Sequence, residues 1–243
     1  MKQISLSKGE KKTARFLRKN GPRDTFARYY EKYAAELRGY LDGKTARPAW
    51  LRGLDLMPAG NRKTKLATFG TYAGHGCAGY CVACYAMGGS YIWDNVIDCR
   101  AKRAALLDVA PAIFWDIFRE NVARVLRSRS LPKIVRLFDA GDVPGPAFLP
   151  ALYDVARQFP GVRFYGYTKK LDLLKAAGPA PKNVVFMRSR YLKPAGDKRA
   201  AFLTVNIMAG DVAPASYKQC PGSNCAACQL CVKGALVWAP LHD

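Results

Sequence analysis

The stretch that decides the fold runs from Ile134 to Tyr167 and reads IVRLFDAGDVPGPAFLPALYDVARQFPGVRFYGY. It begins with a short run rich in β-branched and aromatic residues at 134–138 and ends with a second such run at 162–167. Between the two runs, residues 147–158 have a helix-like pattern. A strand, a helix and a strand in this order are typical of parallel strands joined by a crossover, so the sequence predicts an α/β fold.

The same alternation extends in both directions from this stretch. Further strands are predicted at 66–72, 184–187, 202–207 and 235–239, which makes six in all. Further helices are predicted at 94–127, with a break at Pro111, and at 171–177. We therefore expect three parts, which are a basic helical region at 1–64, an α/β core at 65–212, and a cysteine-rich segment with the last strand at 213–243.

Three cysteines closely follow the first predicted strand, in the run Cys77-Ala-Gly-Tyr-Cys81-Val-Ala-Cys84. A 4Fe-4S cluster normally takes four thiolates, one for each iron. Three closely spaced cysteines therefore leave one iron open to a ligand that is not protein. The spacing predicts a cluster whose open iron is a reaction site.

Four more cysteines form a complete ligand set near the C-terminus. They are Cys220, Cys225, Cys228 and Cys231, and their two consecutive Cys-x2-Cys spacings are typical of ferredoxin-type clusters. Structural zinc is an alternative, although zinc sites usually join two Cys-x2-Cys pairs across a longer finger. Disulfides are another alternative. The N-terminus has no apolar stretch like that of a secretory signal, so we expect the reducing cytoplasm, where thiolates bind metal.

The C-x3-C-x2-C run resembles the signature of the radical SAM superfamily. The resemblance implies that S-adenosylmethionine (SAM) binds the open iron and is cleaved reductively to a radical that modifies a substrate. It also implies an electron donor such as a ferredoxin or flavodoxin. The implied fold is a partial (β/α)6 barrel of parallel strands, with the C-terminal cysteines holding an auxiliary 4Fe-4S cluster between the fifth and sixth strands.

The resemblance also implies which residues hold the cofactor. Asp139, Ala140, Gly141 and Asp142 follow the second predicted strand, where the family carries a Gly-Gly-Glu type motif that meets the SAM amino group. Tyr85 follows the third cysteine, near the position of an aromatic residue in the family. Further candidates at the same rim, for the SAM carboxylate or ribose or for a substrate phosphate, are Thr168, Lys169, Arg188 and Ser189. Ordinary loops are the alternative, and no catalytic side chain is predicted.

A narrower resemblance covers roughly residues 60–231. The order of Gly60-Asn-Arg-Lys-Thr64, Cys84-Tyr-Ala86, Arg136-Leu-Phe-Asp-Ala-Gly-Asp142, Tyr167-Thr-Lys169 and Cys220-Pro221 is similar to that in small phage-encoded cysteine-rich proteins. These proteins mostly carry only gene-product numbers. The resemblance implies a phage protein that works in the bacterial host cytoplasm, and it implies no substrate.

The charge of the chain indicates a polyanionic partner. There are 39 Lys and Arg residues against 18 Asp and Glu, a formal charge of +21. Basic and aromatic residues alternate near the N-terminus, namely Lys11, Lys12, Arg15, Phe16, Arg18, Lys19, Arg23, Phe26, Arg28, Tyr29 and Tyr30. This pattern predicts a nucleic-acid surface that contacts phosphates and stacks on bases, and the alternative is that the aromatic residues lie in a core. No membrane is predicted, because the uncharged residues 66–93 include six glycines, a histidine and three cysteines.

Two functions therefore stay open. The first is a radical SAM-type enzyme with two clusters that acts on a nucleic acid or nucleotide. The second is a non-catalytic iron–sulfur protein that binds nucleic acid or a protein partner, with clusters that are structural or redox-sensing. Cys99 bears on the choice, because as a buried thiol it leaves the iron open, whereas as a fourth ligand it would close the site.

Overall fold

Strands and helices alternate along the chain. The computed structural model describes residues 22–58, 65–73, 86, 89–191, 203–207, 218–220, 224–231, 233 and 237–240. The helices are α1 Pro22–Leu41, α2 Asp94–Val109, α3 Pro111–Arg127, α4 Phe148–Gln158, α5 Leu171–Ala176 and α6 Cys225–Cys228, with 3-10 helices at Ala49–Leu51 and Gly89–Ile92. The strands are β1 Ala67–Phe69, β2 Ile134–Leu137, β3 Arg163–Thr168, β4 Val184–Tyr191, β5 Leu203–Ile207, β6 Lys218–Gln219 and β7 Val237–Pro240. None of these described helices is long and apolar enough to cross a membrane.

The strands form one parallel sheet. Its order is β1-β2-β3-β4-β5-β7-β6, and every neighbouring pair runs parallel. Strands β1 to β4 lie side by side in chain order and are joined through helices, which confirms the predicted α/β fold. Each of the six predicted strands overlaps a strand of the sheet. The count of six is wrong, because β6 adds a seventh strand. β6 was not predicted because its two residues are too few to show the alternation of apolar and polar side chains that marks a strand.

The predicted break at Pro111 is confirmed. Ala110 follows the last residue of α2 and precedes the first residue of α3. Its N–H donates to the Leu106 carbonyl at 3.0 Å, and its own carbonyl accepts from the Phe114 N–H at 3.0 Å. Proline has no N–H to continue α2, but it suits the first turn of a helix, where that N–H has no partner within the helix.

The two faces of the sheet pack against different parts of the chain. One face, which we call the helix face, contributes Ala67, Phe69, Val135, Leu137, Phe164 and Val184 to the main core. Phe69 illustrates this packing, with ring centroids 5.6 Å from Phe118 of α3 and 6.0 Å from Phe148 of α4. The opposite face, which we call the cysteine face, buries Leu66, Ile134, Tyr165 and Met187, and Cys225 and Cys231 pack against it. The alternation of side chains along each strand produces this division.

Helix α1 docks on α2 through tyrosine and aspartate side chains. The hydroxyl of Tyr29 donates to Asp94 at 2.6 Å and that of Tyr30 to Asp108 at 3.1 Å. Phe26 is buried, and its ring stacks on Tyr72 with centroids 4.0 Å apart. The prediction that these aromatic residues stack on bases is therefore wrong for Phe26, because its ring lies in the core.

Candidate functional site

The loops after β1 and β2 are locked together. The Thr71 N–H donates to the Ala140 carbonyl at 3.0 Å. Gly141 has φ of +77°, and a Cβ there would lie 1.9 Å from Thr71 Oγ1. At Gly70, a Cβ would lie 1.8 Å from Asp139 Oδ1. Real Cβ atoms do not approach other atoms so closely, so this packing requires glycine at both positions. We use the name strand-end site for these two loops together with Thr168 and Lys169.

The residues on either side of the segment that carries the first three cysteines lie at the strand-end site. Ala73 precedes this segment, Ala86 follows its last cysteine, and both are buried against Ala140 in one small cluster. Tyr91 packs against the same cluster. The predicted ligands Cys77, Cys81 and Cys84, and the predicted adenine contact Tyr85, lie outside the described residues. The two residues that flank the predicted ligands therefore lie beside the loop that was predicted to hold the cofactor.

Asp139 lies beside a buried arginine of α2. Arg100 is 6% exposed, and its guanidinium donates to the Thr71 carbonyl and, at 3.4 Å, to Asp139 Oδ2. The same guanidinium lies 5.0 Å from the centroid of the Tyr91 ring. Arg103, one turn further along, donates to the Gly70 carbonyl at 3.3 Å. These two arginines hold the end of β1, and the sequence analysis missed them because two charged residues in a helix usually face solvent.

Asp142 and Thr168 bind each other. One Asp142 oxygen accepts a hydrogen bond from the Thr168 hydroxyl and another from the Val143 N–H at 2.7 Å. The second oxygen accepts from the Lys169 N–H at 3.0 Å. Both side chains are buried. The structure therefore brings two predicted cofactor residues together, and their mutual hydrogen bond joins the loop after β2 to the end of β3.

The other predicted rim residues lie close by in the sheet. Arg188 pairs with Thr168 across β3 and β4, and Ser189 follows it on β4. The side chains of Arg188 and Ser189 are outside the described part of the chain. Cys99 lies on α2 as a thiol and is partly exposed rather than buried. Whether Cys99 ligates the first cluster stays a prediction.

The C-terminal cysteines surround a single helical turn. Helix α6 places Cys225 and Cys228 three residues apart, and Cys220 and Cys231 flank it. Two residues with left-handed backbone bound the turn, Asn224 with φ of +49° and Gln229 with φ of +50°. This conformation is uncommon for residues other than glycine and clusters at ligand-binding segments. No sequence pattern predicted this left-handed conformation at the two positions.

The C-terminal thiols are partly buried and lie near one another. Burial raises the pKa of Cys231 to about 11, Tyr167 opposes the shift by a hydrogen bond, and Cys220, Cys225 and Cys228 raise the pKa further. Burial also raises the pKa of Cys225, and the nearby Arg136 guanidinium opposes that shift. Among the residues that the structure describes, no three potential ligands already stand in metal-binding geometry. Cysteine thiols are the ligand type that a 4Fe-4S cluster takes, and they would become thiolates on binding metal.

The fold and these sites define a class of protein. It is an α/β protein with a parallel sheet, whose cysteine face packs against Cys225 and Cys231 and whose strand-end site holds the residues that flank the first three cysteines. Residues 39–193, more than half of the chain, match the family described as gene product 88, and the chain belongs to that family. The match confirms the resemblance to proteins known by gene-product number. It includes the first three cysteines and ends before Cys220.

The other comparisons return nothing. No curated protein matches the chain, and no solved structure does either. The name gene product 88 states no reaction, substrate or cofactor. Any proposal for the chemistry of this protein therefore rests on its own residues.

Proposed function

We propose that this protein is a radical SAM-type iron–sulfur protein with two 4Fe-4S clusters. Cys77, Cys81 and Cys84 would hold the cluster with the open iron. The observation that carries the proposal is that Ala73 and Ala86, which flank this cysteine segment, both pack on Ala140 at the C-terminal end of β2. Ligands of parallel α/β proteins bind at this end of the strands, where loops rather than core side chains face them.

The strand order supports a partial barrel around this site. The first five strands are neighbours in chain order and all run parallel, as they would in a (β/α) barrel. Helices α2 to α4 cover the helix face, and the cysteine face corresponds to the interior of such a barrel. The auxiliary cluster on Cys220, Cys225, Cys228 and Cys231 would then lie inside it.

Several residues at or near the strand-end site are the candidates to hold SAM. Gly141 and Gly70 let the two loops approach closely, and Asp139 is a carboxylate at the edge of the site. Lys169, Arg188, Ser189 and Tyr85 are the other candidates from the sequence. When bound, SAM and the cluster would supply a radical that takes a hydrogen atom from the substrate. The protein would position the reactants and exclude water.

A nucleic acid or nucleotide is the proposed substrate class. On α1, Arg23, Arg28, Lys32 and Arg38 are exposed. Phe26 and Tyr33 of the same helix are buried against the core. The helix presents these cations to solvent together with exposed Asp24 and Glu31, and it keeps those aromatic rings inside, which favours contacts to phosphates over stacking on bases.

Salt and charge reversal test the substrate class. The affinity for a fluorescent oligonucleotide should fall steeply as salt rises, because phosphate contacts release counterions. The double variant Arg28→Glu/Lys32→Glu should bind more weakly, whereas Arg157→Glu, an exposed arginine of α4, serves as the control. Binding that ignores both salt and the α1 charges would contradict the proposal.

Iron analysis tests the two-cluster arrangement. The protein is purified without oxygen, and iron and sulfide are counted. Replacing Cys77, Cys81 and Cys84 with Ala should remove about half of the iron. Cys99→Ala is the matched control and should keep all of it. Loss of all iron, or of none, in the triple variant would contradict two separate clusters, and loss in Cys99→Ala would make Cys99 a ligand.

One observation favours the second candidate, a non-catalytic iron–sulfur protein that binds nucleic acid or a protein partner. The side chains of Asp142 and Thr168 already bind each other, and Asp139 is paired with Arg100. Three of the polar groups assigned to SAM or substrate thus have partners within the chain. In this case the clusters would be structural or redox-sensing, and the spectrum of the reduced protein would not change when SAM is added.

A further inference from the structure

Tyr167 connects the sheet to the C-terminal cysteines. Its hydroxyl donates a hydrogen bond to the sulfur of Cys231, with an oxygen–sulfur distance of 2.8 Å. Tyr167 lies on β3, far from Cys231 in the sequence, and its side chain packs on the cysteine face. Tyr165 of the same strand also forms a hydrogen bond with the Cys225 thiol, so β3 contacts two of the proposed ligands.

The surroundings favour a strong hydrogen bond. The Arg136 guanidinium lies 5.9 Å from the centroid of the Tyr167 ring. Tyr165, two residues earlier on the same strand, is 1% exposed and lies near the Cys225 thiol. Apolar side chains of the sheet pack in the same cluster. Tyr167 and Cys231 are thus partly buried, and a hydrogen bond in a less polar medium is stronger than one at the surface.

We propose that Tyr167 is a positioning residue for the C-terminal cluster and raises its reduction potential. A hydrogen bond to a cysteine sulfur stabilises negative charge on that sulfur. The reduced cluster carries one more electron than the oxidised cluster, so the bond favours the reduced form. This inference rests on the proposed cluster at Cys220, Cys225, Cys228 and Cys231.

The same residue places the cluster relative to the strand-end site. Thr168 follows Tyr167 directly and binds Asp142. The backbone of β3 thus carries on successive residues a contact to the auxiliary cluster and a contact to the loop beside the first cysteine segment. Because side chains alternate along a strand, the two contacts point to opposite sides of one rigid element.

The test isolates the second cluster. In a protein with Cys77, Cys81 and Cys84 replaced by Ala, about four irons per chain should remain. The midpoint potential of this cluster is then measured by an EPR-monitored redox titration, with and without Tyr167→Phe. The Phe variant should have a more negative potential. A tenfold fall in the ratio of reduced to oxidised cluster at fixed potential corresponds to about 59 mV for one electron.

Tyr153→Phe is the matched control. Tyr153 is a tyrosine of α4 that is 3% exposed, and it belongs to the core on the helix face. Removing its hydroxyl should leave the potential unchanged. Equal potentials for Tyr167→Phe and its parent would overturn the inference while the cluster stands. Absence of iron in the triple-alanine protein would overturn the proposed cluster and the inference with it.

A second measurement covers the case in which Tyr167→Phe loses its cluster. The protein with the C-terminal cluster alone is exchanged into deuterated water, reduced and studied by pulsed ENDOR. The measurement is repeated with Tyr165→Phe, because Tyr165 is a second hydroxyl beside these thiols. An exchangeable deuteron coupled to the cluster at the distance of a hydrogen bond to sulfur, and still present in Tyr165→Phe, supports Tyr167 as the donor. Absence of such a deuteron would overturn the inference.

Discussion

Replacing Gly141 with alanine should break the contact between the loops after β1 and β2. Gly141 has a left-handed backbone, with φ of +77°, and a Cβ there would lie 1.9 Å from Thr71 Oγ1 and 3.1 Å from the Thr71 carbonyl carbon. The nearest atom belongs to a short side chain whose backbone is itself bonded to Ala140. The two loops must therefore separate to admit the methyl group.

The expected cost has two parts. The left-handed conformation costs a residue with a Cβ about 1–2 kcal/mol, and forcing a methyl group into filled space costs about 1–3 kcal/mol more. The free energy of unfolding should therefore fall by about 2–5 kcal/mol, which lowers Tm by roughly 4–20 °C for a chain of this length. Gly178 is the matched control, because its φ is +74° and a Cβ there would meet nothing within 4 Å. Gly178→Ala should cost only the first part, about 1–2 kcal/mol.

The comparison is made by urea unfolding and by iron analysis of both variants under anaerobic conditions. Gly141→Ala should also lose the iron of the proposed first cluster, because Ala73 and Ala86, which flank its cysteines, pack on Ala140, the neighbour of Gly141. Gly178→Ala should retain its iron. Equal destabilisation by the two substitutions, with equal iron, would refute the close packing of these loops.

Two further predictions concern single hydroxyl groups. Thr168→Val should lower the free energy of unfolding by about 1.5–3 kcal/mol, because it removes a donor to the buried Asp142 carboxylate. The control is Thr45→Val, at an exposed threonine. If urea unfolding shows the same loss of stability for both variants, the role of the hydrogen bond is contradicted. Burial, followed by the Asp108 carboxylate, raises the pKa of Tyr30 to about 12, above the usual value of about 10 that applies in the unfolded chain. The neutral phenol therefore contributes stability below about pH 10 that is lost as pH rises toward 12. Tyr30→Phe should flatten this decline in unfolding curves measured from pH 9 to 12, and an identical decline in the variant would contradict it.

Local patterns in the sequence predict most of the sheet. Runs of β-branched and aromatic residues mark β2 and β3, and a proline at the first turn of α3 separates that helix from α2. Each of these patterns spans only a few residues, so it can be recognised in the sequence without knowledge of the tertiary structure. The two-residue β6 has no such signal, because its pairing with β7 depends on where the chain returns to the sheet.

The partners of polar side chains could not be predicted in the same way. Asp142 and Thr168 were both expected at the rim, but their hydrogen bond to each other joins residues from two separate loops. Arg100 is buried only because β1 ends beside it and offers a carbonyl to its guanidinium. Whether a polar group near a site binds a ligand or a neighbour is decided by packing between distant segments.

The central claim is that Cys77, Cys81 and Cys84 hold a cluster whose open iron binds SAM. The most direct test uses a protein in which Cys220, Cys225, Cys228 and Cys231 are replaced by Ala, so that only the first site can hold iron. The EPR spectrum of the reduced protein is recorded with and without SAM, and the mixture is assayed for 5′-deoxyadenosine. We expect about four irons per chain, a spectrum that changes on adding SAM, and formation of 5′-deoxyadenosine. A cluster whose spectrum ignores SAM, with no 5′-deoxyadenosine formed, would contradict the claim.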